Sequence, residues 1–229
     1  TKEKYDLGDR VDFPYIIGIG AQEYTYPGNA QTYSTFKDFL NDQSMTVTIN
    51  KIAETTPAFQ FGPDANGNML KWTPKSGSFP GKLEINGIVK VNGNLTLGDK
   101  KETIYYDGKG TLYATGDIDI HANLYPSDNK IFPTQAVLGL LAEKNMYLAT
   151  GPGDSQLSMM GAFYAQGKIV SAKQNQIAGT FVANFYDMGT NVPNIYQVPE
   201  LRKNLPPGMP GDESIISLKR RTWRERVPD

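Results

Sequence analysis

Cysteine is absent from this 229-residue chain, which excludes a disulfide framework, a thiolate metal site and a cysteine nucleophile. Histidine occurs once and the formal net charge is −1, so there is no global electrostatic case for nucleic acid. Long apolar runs are missing too: no stretch reaches the roughly twenty residues that a membrane-spanning helix needs. The sequence is rich instead in 23 Gly, 15 Pro, 13 Tyr and 10 Phe. Such a composition suits many turns and a chain of strands, with length for one large β domain or two small ones.

One phrase recurs between Gly87 and Phe185. Val89-Lys90-Val91-Asn92-Gly93-Asn94-Leu95-Thr96-Leu97 is matched by Leu112-Tyr113-Ala114-Thr115-Gly116-Asp117-Ile118-Asp119-Ile120. Leu140–Leu148 and Phe163–Ile169 repeat it, and Phe181–Phe185 is a truncated copy. A small residue stands at the centre each time, at 91, 114, 142, 165 and 183. Repetition at this period marks stacked units that cannot bury their apolar row alone. Residues two apart on a strand share a face, so Val89 with Val91 and Leu112 with Ala114 point inward. Gly beside Asn or Asp turns the corner. The expected fold is all-β, a right-handed parallel β-helix. It is preferred over an antiparallel sandwich, whose hairpins would use similar turns.

The flanks lack the repeat. Residues 1–80 form a loop-rich segment expected to pack on or cap the solenoid, 81–185 carry the coils, and 186–229 form a Pro-punctuated strap with a terminal strand. Tyr15–Ile19 reads as a buried strand and Met45–Ile49 as another. Ser34 or Thr35 is placed to cap a short helix through Phe36, Phe39 and Leu40. Residues 55–80 show little periodicity. Ser214–Leu218 is expected as a last strand, followed by a basic end around Trp223 with Arg220, Arg221, Arg224 and Arg226.

Catalytic constellations are weak. Asp64-Ala65-Asn66-Gly67-Asn68 imitates half a calcium loop, but Met69 and Lys75 stand where that loop needs Gly and Glu, leaving an Asx turn. Asp117 aligns with the corner residues Asn94, Asn145 and Lys168, and neither Asp117 nor Asp119 gains a second carboxylate from a neighbouring coil. His121 reads as a surface loop residue, and no nucleophile elbow occurs. The chain is expected to be non-enzymatic and to need no cofactor or metal.

The outward rows carry more. Lys90, Tyr113, Leu141, Tyr164 and Val182 align in one; Thr96, Asp119, Tyr147 and Val170 align in a second. Tyr113, Tyr147 and Tyr164, extended by Trp72, Tyr105 and Tyr106, make a candidate aromatic face for stacking on sugar rings. Tyr24, Tyr26 and Tyr33 are candidate loop contacts. The alternative is that residues 1–80 or the strap cover the Tyr113 row and turn it into a second core.

Gly161–Ala165, Ile177–Ala183, Val192–Tyr196, Leu205–Gly211 and Trp223–Glu225 resemble, in phrase and order, the C-terminal region of a bacterial type IV pilus-associated surface protein family. The architecture is also similar to the tāpirins, cellulose-binding surface adhesins. These resemblances imply an extracellular or cell-surface β-helix module without catalytic residues. Its expected partner is insoluble plant polysaccharide such as cellulose. The alternative is a structural pilus or envelope component that binds other proteins, and a β-helix polysaccharide lyase or hydrolase is a third reading.

Overall fold

In the computed structural model, residues 13–189 and 191–211 are described. The basic end, Trp223 and the expected strand at 214–218 lie outside the described residues. Nearly all the regular structure is β, and one sheet of 15 strands runs through the molecule.

Three parallel ladders build it, each corner carrying the chain from one face to the next. On the first face, residues 45–47, 89–91, 110–114, 139–142, 162–165 and 180–183 lie side by side, all parallel. On the second, residues 51–52, 95–97, 118–120, 146–148 and 169–171 do the same. The third face carries residues 81–84, 104–107, 123–126, 158–159, 176–179 and 194–197. The expected internal file is present: Val91, Ala114, Ala142, Ala165 and Ala183 are consecutive register partners and all are buried. An antiparallel sandwich is excluded by these registers.

The alternation explains the core. Val89, Leu112, Leu140 and Phe163 point inward beside the small file, and Leu95, Ile118, Met146 and Ile169 fill the second face from inside. Each such burial stabilises by roughly 1.5–3 kcal/mol, with no coil able to gain it alone. The corners are tied by a ladder of side chains. Asn94 Oδ1 accepts the Asp117 N–H at 3.0 Å. Asp117 Oδ1 accepts both the backbone N–H and Nδ2 of Asn145 at 3.0 Å, and Asn145 Oδ1 accepts the Lys168 N–H at 3.1 Å. Gly116 is required here by space: a Cβ would lie 2.1 Å from Asn94 Oδ1. Asp117 is thus a structural corner.

The stack begins before the repeat does. Met45–Val47 and Lys51–Ile52 form a rung beneath residues 89–97. Residues 55–80 are also more ordered than their lack of periodicity implies. Phe59–Phe61 and Met69–Thr73 make an antiparallel hairpin whose second strand pairs with residues 82–86. Tyr15–Ile19 is not a strand; Ile16 is buried, but Ile19 is wholly exposed. The helix Phe36–Gln43 forms as expected, with Thr35 Oγ1 accepting the Asp38 N–H at 3.2 Å and Phe36, Phe39 and Leu40 buried.

That helix and the strap cover the first face. Ile16, Phe36, Phe39, Leu40 and Met209 enclose Tyr113, Leu141 and Tyr164 in a second apolar cluster. Leu201 and Met209 are buried, and Gly208, at φ 79°, crosses so close that a Cβ would meet Ile88 at 2.7 Å. Polar clamps fix the cover. The Tyr113 hydroxyl donates to Glu143, whose other oxygen pairs with Lys37 Nζ at 2.9 Å. Tyr164 donates to the Pro14 carbonyl at 2.6 Å.

Candidate functional site at the open end of the stack

The proposed aromatic face is not assembled. Trp72 is 1% exposed because its strand alternates Leu70 and Trp72 inward, and its Nε1–H donates to the Thr56 carbonyl at 3.1 Å. Tyr105 and Tyr106 are neighbours on one strand and must face opposite ways. Tyr106 points in, wholly buried, donating to the Met160 carbonyl at 3.0 Å. Tyr113 and Tyr164 lie in the second apolar cluster, Tyr164 stacked on Phe13, and burial pushes the phenols of Tyr106, Tyr113 and Tyr164 up. Four of the six rings are therefore core.

Tyr105 and Tyr147 remain half-buried. Tyr105 meets Tyr125 across adjacent coils, centroids 6.2 Å apart and tilted by 41°, which is a contact pair and not a flat platform. Tyr125 was recoverable from the sequence, since Asn123-Leu124-Tyr125 copies Thr103-Ile104-Tyr105 in register. Tyr24 and Tyr26 pack their rings on Phe36 and Phe39 at 4.7–4.9 Å. Tyr33 is buried, donating to Asp42 Oδ2 at 2.6 Å; burial and that bond raise its pKa, while bonds from Tyr33 and Gln43 lower that of Asp42. These three tyrosines hold the helix in place.

On the second face Thr96, Asp119, Tyr147 and Val170 are half-exposed among the described residues. Burial raises the Asp119 carboxyl, opposed by His121 and reinforced by Asp117. His121 is more than a surface residue. Its Nδ1 lies 2.6 Å from Asp154 Oδ2, which also accepts the Gly151 N–H at 2.7 Å, so the pair staples the loop at 149–157 to the stack. Among the described residues no cluster of three His, Cys, Asp or Glu is placed to hold a metal ion.

Apart from Ile19, Phe79 and Ile131, the exposed large apolar side chains among the described residues lie on and beside the last rung. The strand Gln176–Asp187 pairs along its inner edge with Ser158–Ser171, while Asn194–Gln197 covers only residues 176–179 of its outer edge. No strand among the described residues pairs with the outer edge of residues 180–187. Around it Phe185 is 62% exposed, Val192 64%, Ile195 46% and Tyr196 56%. A cleft of about 580 Å³ opens there, lined by Phe181, Val182, Tyr186, Met188, Ile195 and Gln197 among others, with no carboxylate, amine or guanidinium in its wall.

Tyr186 lies across this edge. Its ring stacks on Phe181 at 5.5 Å and 20°, closing the internal column that runs through Val89, Leu112, Leu140 and Phe163. Its hydroxyl accepts the Ala183 N–H at 2.9 Å and donates to the Phe181 carbonyl at 2.7 Å. Burial raises this phenol, and the Ala183 N–H works against the rise. The sequence signal was the truncated fifth copy, which breaks off at Phe185 with Tyr186 following.

No family model matches the chain, and no curated protein matches it. Among solved structures the chain is similar to the competence-associated pilin ComZ from Thermus thermophilus, at TM-score 0.65 and 17% identity. The match covers 91% of this chain and 48% of that one, so the chain spans about half that pilin's length. At that identity the likeness is one of fold.

Proposed function

We propose that this chain is a non-enzymatic module of a bacterial cell surface, part of type IV pilus-related machinery, which docks protein partners through the open end of its stack. We read the stack itself as a right-handed parallel β-helix, the hand that strand twist favours for parallel crossovers. The carrying observation is the cleft at the terminal rung, without a charged side chain in its wall and with Phe185, Val192, Ile195 and Tyr196 exposed beside it, on a fold shared with a pilin. Apolar patches of this kind on a soluble fold mark protein interfaces. Cellulose binding loses its support, because Trp72, Tyr106, Tyr113 and Tyr164 are interior.

The test replaces Phe185 with a photo-crosslinking phenylalanine analogue in the producing bacterium and examines sheared pili and envelope fractions. Adducts with pilus or envelope subunits are expected. Absence of the chain from both fractions, with no adduct, would overturn the reading. Retention on cellulose would restore the adhesin.

A further inference from the structure

The strand Gln176–Asp187 ends the stack with two thirds of its outer edge, residues 180–187, unpaired by any strand among the described residues. In a parallel ladder the C=O of one residue and the N–H two positions on face the same neighbour, and one residue of that neighbour takes both. Phe181 C=O and Ala183 N–H are such a pair, flanking Val182. The Tyr186 hydroxyl takes both. One phenol therefore stands where the backbone of one residue of a further strand would stand.

We propose that this rung is a strand-addition site, where an extended, uncharged segment of a partner protein pairs with residues 180–183 and displaces the Tyr186 hydroxyl. This rests on the protein-docking reading above and names the kind of partner. An incoming strand remakes the two hydrogen bonds it breaks, so the exchange is close to neutral in hydrogen bonding. Apolar contact with Phe181, Val182, Met188 and Ile195 then favours the bound state. The neutral wall of the cleft sets the chemistry of the segment. A charged side chain entering it would lose hydration and meet no counter-charge, whereas alternating Val and Thr would match its apolar floor and polar rim. A second copy of this chain is a poorer occupant, because edge-to-edge pairing would displace two Tyr186 hydroxyls at once.

The probe is a capped peptide of alternating Thr and Val, compared with versions carrying Lys in place of a central Val or N-methylated along one edge. Binding to the unsubstituted chain and to Tyr186→Phe is followed by titration and by hydrogen exchange at the Ala183 amide. Tyr186→Phe keeps the ring on Phe181 and loses only the competing hydroxyl, so its affinity for the peptide is expected to be about tenfold higher. The peptide should slow Ala183 exchange in both proteins, and the Lys and N-methyl versions should bind neither.

Equal affinities for the two proteins, or unchanged Ala183 exchange, would overturn the proposal. So would self-association of Tyr186→Phe in sedimentation that the peptide does not reverse, which would assign the edge to a second copy. Crosslinking to pilus subunits in cells without peptide binding would end strand addition and leave the pilus reading standing. Peptide binding by a chain absent from pili would do the reverse.

Discussion

Asn68 is the residue whose loss should cost the most for its size. It is 3% exposed and joins three segments. Its Oδ1 accepts the buried Ile88 N–H at 2.8 Å, while its Nδ2 donates to the Gln43 carbonyl at 2.8 Å and to Asp64 Oδ2 at 2.9 Å. Gly87, at φ 71°, leaves the space, since a Cβ there would sit 2.1 Å from Asn68 Oδ1. Asn68→Ala removes three hydrogen bonds and strands a buried N–H. At about 1 kcal/mol net per bond, plus about 1 kcal/mol or more for the orphaned donor, the expected loss is about 4 kcal/mol. For a chain of this size that is a fall in Tm of about 10 °C.

A pH signature accompanies it. Burial alone would raise the Asp64 carboxyl, but bonds from the Asn68 side chain and from the backbone N–H groups of Asn68, Asn66 and Gly67 outweigh it and lower the pKa. A carboxyl depressed in the folded state contributes stability at neutral pH that is lost as pH falls from the unfolded value through the folded one. Asn68→Ala removes one of those donors, so stability should fall less steeply as pH drops below the ordinary carboxylate range. Urea denaturation followed by circular dichroism across that range measures both effects, with exposed Asn66→Ala as the control. A loss below about 1 kcal/mol, with Ile88 amide exchange unchanged, would refute the reasoning.

Tyr113→Phe should cost about 1–2 kcal/mol by removing the donor to Glu143. It should speed proteolysis around the helix Phe36–Gln43 while leaving amide protection in the coils intact. Asp119→Asn should raise Tm at pH 7, because a carboxyl raised in the folded state is a cost once ionised; the gain should vanish as pH falls below the ordinary carboxylate range. Ala142→Leu, wedged between Ala114 and Ala165 in the internal file, should cost about 1–3 kcal/mol by overpacking. An unchanged urea midpoint would sink that file. Retention on cellulose should be no greater than that of an unrelated β protein, read by a pull-down on the insoluble polymer.

The sequence by itself determined the registers. Alternation of period two, a small residue at each centre and Gly-Asx corners are local properties that repeat, so the file from Val91 to Ala183 and both outward rows could be aligned position by position. The corner role of Asp117 came from the same alignment, and a helix cap at Ser34 or Thr35 from the spacing of Phe36, Phe39 and Leu40, with the structure choosing Thr35. Even Trp72 and Tyr106 carried an inward signal, in Leu70-Lys71-Trp72 and in a Tyr-Tyr pair that one strand must split.

Only the tertiary structure decided which rows meet water. The segments that cover the first face lack the strand repeat, and whether Tyr113 and Tyr164 are displayed or buried depends on where residues 13–44 and 199–211 come to rest. That choice is made by long-range packing of Ile16, Phe39, Leu40 and Met209, which no neighbouring residue announces. The open end was hidden for the same reason. A strand edge is exposed or covered according to what the rest of the chain leaves unpaired, and Tyr186 acquires its place there through three-dimensional adjacency to Phe181 and Ala183.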